Sequence, residues 1–366
     1  MTLFGEMPSP TLSTQPAQTP QSHGKWAGNT TFRHSNTALL SVVEVTAPHR
    51  VPSEHFDERL SGTLRQLRLP KGLLQRVAGV NARRNWYHPH DYVAATAEAG
   101  RNALRSAGIA PGAVGLMINT SVTRENLEPS VAVSIHDGIG LESQAMNFDI
   151  TNACLGFVNG ITVAATMIDA GHIDYALIVA GEDATQVQNA TVQRLSRDSI
   201  TKAEYLNEFA SLTLGCGAAA ALLGPADKHP EAHRIIGGVS RAATWNHGLC
   251  VGDHEGMFTD TQGLLDNGME LVTAAWHEAH TDGWDWSNMS SYVMHQVSHV
   301  HTSAISKAVK LPRSRVPITY DELGNVGPAS LPITLARQAE TLKRGDRVLC
   351  MGVGSGLNTA MLELLW

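Results

Sequence analysis

Three polar side chains in this sequence, each placed just after an apolar run, could together carry out acyl chemistry. Cys154 stands in Asp149-Ile-Thr-Asn-Ala-Cys-Leu-Gly156, His295 opens His295-Gln-Val-Ser298, and Asn325 sits in Gly324-Asn-Val-Gly-Pro328. A thiolate can attack an acyl carbonyl, an imidazole can serve as base or hydrogen-bond partner, and a carboxamide can donate to an oxygen that gains negative charge. Each residue alone also fits an ordinary role, as a buried thiol, a satisfied core histidine or a turn asparagine. What would join them is the tendency of ligands to gather beyond the carboxyl ends of strands in α/β sheets.

The elements around them support that placement. Ala145 to Ile150 alternates as a strand, and after Cys154 the apolar residues Leu155, Val158, Ile161, Ala165 and Ile168 recur at helical spacing up to Gly171. A thiol at such a junction lies near free backbone N–H groups and the positive end of a helix, so a lowered pKa is expected. Strands are predicted over Thr37–Val45, Val114–Asn119, His172–Gly181, Ser211–Leu223, Ser291–His295, Val316–Tyr320, Arg347–Val353 and Thr359–Leu364. Helices are predicted near Ser53–Leu67, Tyr92–Ala107, Val131–Gly138, Gly263–His280, Thr302–Val309 and Leu331–Leu342. Gln186 to Glu208 reads as a polar, mostly helical excursion able to act as a lid. The alternation predicts a largely parallel sheet covered by helices, and both halves place a polar residue after a strand, as two related α/β units would.

Composition narrows the class. The 366 residues are 43% hydrophobic, enough for a large core in roughly two domains or one duplicated unit. A net charge of -7 points away from nucleic acid and anionic membranes. The four cysteines form no CxxC pair, which argues against a zinc ribbon or a disulfide framework and fits a reducing cytoplasm. No apolar run reaches the ~18 residues of a membrane span, and the N-terminus has no signal-peptide pattern. Met1 to Asn36 is rich in Pro, Ser, Thr and Gln and reads as a disordered tail, followed by units over 37–223 and 224–366.

Several segments then carry a resemblance: Ala78-Gly-Val-Asn-Ala-Arg-Arg84, Ile118-Asn-Thr-Ser-Val-Thr-Arg124, Leu127-Glu-Pro-Ser130, Thr151-Asn-Ala-Cys-Leu155, Leu212-Thr-Leu-Gly-Cys-Gly-Ala218, His295-Gln-Val-Ser298, Gly324 to Ser330 and Gly354-Ser-Gly-Leu-Asn358. In this order they resemble the thiolase superfamily, specifically its ketoacyl-acyl carrier protein synthase III branch and the acyl-CoA condensing enzymes that begin bacterial olefin biosynthesis. The similarity runs from about Leu39 to Trp366. It implies a five-layered αβαβα thiolase fold of two similar halves and a homodimer. It also implies Cys154 as the acyl-accepting nucleophile, with His295 and Asn325 as its hydrogen-bonding partners, and coenzyme A thioesters as substrates without a further cofactor.

Glu128 separates two reactions within that family. Decarboxylating synthases make their carbanion by losing carbon dioxide from a malonyl group, whereas joining two plain acyl-CoAs requires a base to remove an α-proton. The acyl-CoA condensing relatives carry a glutamate at the position matching Glu128, contributed there by the neighbouring subunit. The resemblance therefore implies a non-decarboxylating condensation of long-chain acyl-CoAs. Its alternatives are a malonyl-dependent synthase, a hydroxymethylglutaryl-CoA synthase type, and one subunit of a heterodimeric condensing enzyme of β-lactone biosynthesis. It further places Arg83 and Arg84 near the CoA nucleotide, Gly354, Ser355 and Gly356 at the substrate, and downstream pathway enzymes as partners, docked in one reading by the tail. The histidines at 295, 299 and 301 lack a third acidic ligand in pattern, and His88-Pro-His-Asp91 reads as a polar turn, so no metal is expected. Gly352-Val-Gly-Ser-Gly356 lacks the spacing of a dinucleotide loop and reads as a tight strand connection, and Cys216, Cys250 and Cys350 read as structural.

Overall fold

The computed structural model describes residues 31–253 and 256–366. Most of the expected disordered tail, residues 1–30, lies outside the described residues. Its last part departs from the expectation: Thr31–Arg33 forms a strand, β1, antiparallel to Gly237–Val239.

Ten strands make one continuous sheet. After β1 these are β2 (Thr37–Thr46), β3 (Val114–Asn119), β4 (Met146–Asp149), β5 (Tyr175–Glu182), β6 (Gly217–Pro225), β7 (His233–Ala242), β8 (Ser291–Met294), β9 (Arg347–Gly354) and β10 (Asn358–Leu365). The path runs β8-β9-β10-β7-β2-β6-β5-β3-β4, with β1 added beside β7. The pairing pattern repeats. β3 runs parallel to β5, which is antiparallel to β6, which is antiparallel to β2. Likewise β8 runs parallel to β9, then β10 and β7 follow antiparallel. The two halves meet where Ala38 pairs with Arg234 and Leu39 with His233.

Alternation along the strands turns this sheet into layers, because successive side chains point to opposite faces. Leu116 and Ile118 of β3, with Val348 and Cys350 of β9, face a central pair of helices, α3 (Gly156–Asp169) and α8 (Ser330–Ala339). Met117 and Leu177 face the other way, onto α1 (Asp91–Ala107) and α2 (Val131–Ile139). Leu349 and Met351 face α6 (Thr261–Thr281) and α7 (His299–Ala308). The result is helix, sheet, helix, sheet, helix. Each fully buried Leu, Ile or Phe at these interfaces contributes roughly 1.5–3 kcal/mol, so the central helices are held by packing on both sides. Two more helices, α4 (Thr185–Leu195) and α5 (Lys202–Glu208), make up the polar excursion, α5 opened by a capping box of Thr201 and Glu204.

Two elements differ from the sequence expectation. No strand forms over Val316–Tyr320; a short turn at Arg313–Arg315 is followed by the helix Tyr320–Leu323. Pro317 lacks the N–H that a ladder needs there. Conversely, β7 carries Gly237-Gly238, which hides its alternation. A Cβ at Gly237 would lie 2.2 Å from the Phe32 carbonyl oxygen and one at Gly238 1.8 Å from that of Met361, so the crowding of β1 and β10 on β7 requires both glycines.

Candidate active site

Cys154 follows β4 by five residues, at a turn too tight for ordinary backbone. Ala153 is held at φ 44, a left-handed conformation that costs an L-residue roughly 1–2 kcal/mol. Hydrogen bonds from Leu155 N–H to the Asn152 carbonyl (3.0 Å) and from Gly156 N–H to that of Ala153 (3.3 Å) hold it. The Asn152 side chain donates to Asn159 Oδ1 on α3 at 2.8 Å. Gly156 lets α3 start against the end of β3, since a Cβ there would lie 2.8 Å from the Thr120 carbonyl oxygen. The strain is concentrated at the residue that presents the thiol.

The thiol is not poised as the sequence suggests. Burial pushes Cys154 up to about 12, reinforced by Cys250 and Glu182 and opposed weakly by a backbone hydrogen bond. Leu155 and Gly156 N–H are spent inside the turn, and burial is the largest influence on the thiol, raising it where the sequence predicts lowering.

His295 sits directly after β8, where its N–H donates to the Met351 carbonyl at 2.7 Å and fixes the end of the strand. The residue is only 6% exposed, yet neither ring nitrogen has a partner. Burial first, then His301, lowers its pKa to about 3, so the ring is a neutral imidazole with a free donor and a free acceptor. Asn325 follows Gly324, whose φ of 68 reverses the chain. Asn325 N–H donates to the Thr213 carbonyl (2.9 Å) and its Oδ1 accepts Gly327 N–H (3.0 Å), leaving Nδ2 as the free donor.

These three residues line one cavity of about 1220 Å³. It exceeds the ~300–1,000 Å³ usual for a small-molecule site. Its wall is rich in Met257, Met269, Met294, Met351 and Met361, side chains that adapt to a flexible apolar ligand. Gly354 and Ser355 also line it, and a Cβ on Gly354 would lie 3.5 Å from Cys154 N. Gly356 turns the chain beyond them at φ 130 and is not a lining residue. Gln186, Val187 and Asn189 bring α4 to the wall, as a lid segment would be placed.

Other expectations change. Arg83 is fully buried and far from a phosphate role: it donates to Ser53 Oγ (2.9 Å) and the Leu212 carbonyl (2.6 Å) and stacks over Phe56 at 4.5 Å. Burial lowers its pKa to about 10. Arg84 is half-buried beside it in the strand Ala82–Asn85 and does not line the cavity either. In this strand, paired with His49–Pro52, Ala82 and Arg83 are buried while Arg84 and Asn85 are half-buried. Cys250 is half-buried and lines the cavity, its sulfur 3.7 Å from Thr259 Oγ1, whereas Cys216 and Cys350 are buried in the core. Glu128 is exposed on the loop between β3 and α2 and does not reach the cavity of its own chain. Among the described residues no group of three or more His, Cys, Asp or Glu side chains is arranged to hold a metal, and no helix is long and apolar enough to cross a membrane.

One lining residue escaped the sequence reading. Glu182 ends β5, is 7% exposed, and is raised to about 7, chiefly by burial. Its position matches the rule applied to Cys154, His295 and Asn325, a polar residue closing an apolar strand, and that signal was available.

Comparison with known proteins places this geometry. Residues 148–240 match the family described as 3-Oxoacyl-[acyl-carrier-protein (ACP)] synthase III, and residues 279–366 its C-terminal part. The chain is 42% identical to an acyl-CoA:acyl-CoA alkyltransferase of Xanthomonas campestris over 90% of its own length and 99% of that protein. It is 30% identical to one of Shewanella oneidensis over 92% and 100% respectively. Among solved structures it is similar to Xanthomonas campestris OleA as a cysteine-to-serine variant with bound lauric acid and lauroyl-CoA. That match has a TM-score of 0.88 and 40% identity, covering 91% of this chain and 100% of the other.

Proposed function

We propose, from the premise that this chain belongs to the 3-oxoacyl-[acyl-carrier-protein] synthase III family of thiolase-fold acyltransferases, that it joins two fatty acyl-CoAs by a non-decarboxylating Claisen condensation. The observation that carries this reading is the convergence of Cys154, His295 and Asn325 on one large, methionine-lined cavity, in a chain 42% identical to an acyl-CoA:acyl-CoA alkyltransferase.

In the first step the Cys154 thiol loses its proton and attacks the acyl carbonyl. The carbon–sulfur bond to coenzyme A breaks, and CoA leaves with a proton. His295 and the Asn325 amide donate to the carbonyl oxygen as it gains charge, a contribution typically worth about 10²–10³ in rate per donor. A second acyl-CoA then loses an α-proton to Glu128. Its carbanion attacks the thioester on Cys154, a carbon–carbon bond forms, and the cysteine leaves as thiolate to be reprotonated. The product is a β-ketoacyl-CoA, hydrolysed to the β-keto acid.

Glu128 acts in this scheme in the cavity of a second copy. Its exposure supports that, as does its setting: Leu127 is 94% exposed, with Val133 and Met146 nearly half exposed on the adjoining helix and edge strand. Such an apolar surface fits a homodimer that lends each Glu128 to its partner. Coenzyme A thioesters are the substrates and no further cofactor is required by the chemistry. The four free cysteines suit a reducing cytoplasm.

The test uses purified protein with a long-chain acyl-CoA alone, following free CoA and the ketone formed when a β-keto acid loses carbon dioxide. Both are expected. If ketone appears only when a malonyl donor is added, the reaction is decarboxylating and this reading fails.

A further inference from the structure

The loop that carries Glu128 is held at its two ends by two carboxylates. At its far end Asp149, closing β4, accepts Val131 N–H (3.2 Å) and Ala132 N–H (3.0 Å), where α2 begins. At its near end Glu182, closing β5, accepts Val122 N–H on Oε1 (2.7 Å), and Thr123 N–H (3.1 Å) and Thr123 Oγ1–H (2.5 Å) on Oε2. Asp183 N–H then donates to Thr123 Oγ1 (3.1 Å), so the whole end of β5 grips this corner. Between the two anchors residues 125–129 are exposed.

From this geometry we infer that Glu182 is a positioning residue for condensation: it sets the direction in which its own chain presents Glu128 to the active site of a partner copy. The inference rests on the reading of Glu128 as the base contributed across a homodimer. Three hydrogen bonds from one loop to one buried carboxylate are a larger commitment than a fold needs at a loop start, where water would satisfy the same donors without burying charge. Burial raises Glu182 to about 7 against those three bonds, with Asp183 adding to the rise and Cys154 and the Tyr92 hydroxyl also within its field. A carboxylate kept in so unfavourable a place is held for its acceptors. Both Glu182 oxygens are taken by the Val122–Thr123 corner, and Glu182 makes no hydrogen bond to Asn325, although Gly327 packs against its side chain.

Mixed dimers give the test. One chain carries Cys154→Ala and so contributes only Glu128; the other carries Glu128→Ala and so contributes only Cys154. Acyl-enzyme formation and ketone release are measured separately from long-chain acyl-CoA. The pair with Glu182 intact is expected to condense; its failure to do so would overturn the trans reading of Glu128 and, with it, the positioning role of Glu182. Glu182→Gln on the Glu128-contributing chain is expected to lower condensation about ten- to a hundred-fold while acylation of Cys154 is unchanged, the scale of losing acceptance by a charged group. The same substitution on the Cys154-contributing chain, where Glu182 lines the reacting cavity, is expected to lower condensation less than it does on the Glu128-contributing chain. Equal loss whichever chain carries it, or loss of acylation, would overturn the proposal. Glu182→Asp, which keeps the charge, is expected to recover part of the condensation; a variant whose thermal midpoint falls is compared at a temperature where it is folded.

Discussion

Asn358 donates its side-chain amide to Oδ1 of Asn152 at 3.1 Å, joining the turn after β9 to the strained turn that presents Cys154. The bond crosses from the second half of the chain to the first, and Asn152 passes it on to Asn159 of α3. Asn358→Ala is expected to slow acylation of Cys154 about tenfold, the size of one net hydrogen bond. Rapid-quench measurement of CoA release reads this; an unchanged acylation rate would show that Ala153 keeps its conformation without the link.

Glu128→Ala is expected to leave the acyl-enzyme forming at its usual rate and to lower condensation by about 10²–10⁴-fold. Cys154→Ala abolishes both. Mass spectrometry of the intact protein separates the two, since the first variant accumulates an acyl adduct and the second never gains one. A Glu128 variant that fails at acylation sinks the base assignment.

The thiol of Cys154, raised to about 12 by burial, should alkylate slowly at neutral pH. Its labelling by iodoacetamide in the free protein is expected to rise about tenfold per pH unit between pH 8 and 10, following the thiolate fraction. Peptide mapping distinguishes it from Cys250, which lines the same cavity. A plateau near pH 7 would reveal a thiolate already paired with a protonated His295, contrary to the structure.

His295 binds its proton less readily in the fold, near pH 3, than at the ordinary 6.5 of an unfolded chain. As pH falls the unfolded state takes up the proton first. Its contribution to stability is therefore whole above about pH 6.5 and is lost progressively toward pH 3, on the order of several kcal/mol at the end. Urea titrations across that range should show wild type losing stability more steeply toward low pH than His295→Asn, because only wild type carries this histidine; parallel curves would refute it.

Arg83→Leu tests the reassigned arginine. Removing a buried guanidinium that stacks on Phe56 and donates to Ser53 Oγ and the Leu212 carbonyl should cost roughly 1–3 kcal/mol of stability, because the Leu212 carbonyl loses its donor while Ser53 keeps its bond to Val80. The KM for acyl-CoA of the folded fraction is expected to stay the same. A raised KM at unchanged stability would restore Arg83 to nucleotide binding.

The sequence by itself determined most of the elements and pointed to Cys154, His295 and Asn325, which line one cavity. The apolar run just before His295, the strand five residues before Cys154 and the Gly324-Asn325 turn are local patterns, and strand and helix periodicity is set by neighbours a few residues apart. The same pattern stood at Glu182, after the apolar run of β5. It was passed over because a glutamate closing a strand reads as a solvated end unless the burial around it is known. Pro317 and the Gly237-Gly238 pair misled the strand reading for a related reason: whether a ladder can form, or a Cβ fit, depends on which backbone lies alongside.

Only the tertiary structure decided the remaining questions, all of them about distance between remote segments. The resemblance places Arg83 near the CoA nucleotide, yet its contacts with Ser53, Leu212 and Phe56 hold it in the core. Cys154 stands where a helix should acidify it, yet burial, with Cys250 and Glu182 beside it, pushes the thiol up. Glu128 is written next to the active-site strands but is exposed and does not line its own chain's cavity. Burial and charge are properties of the assembled neighbourhood, and long-range pairing, invisible in a local pattern, is what assembles it.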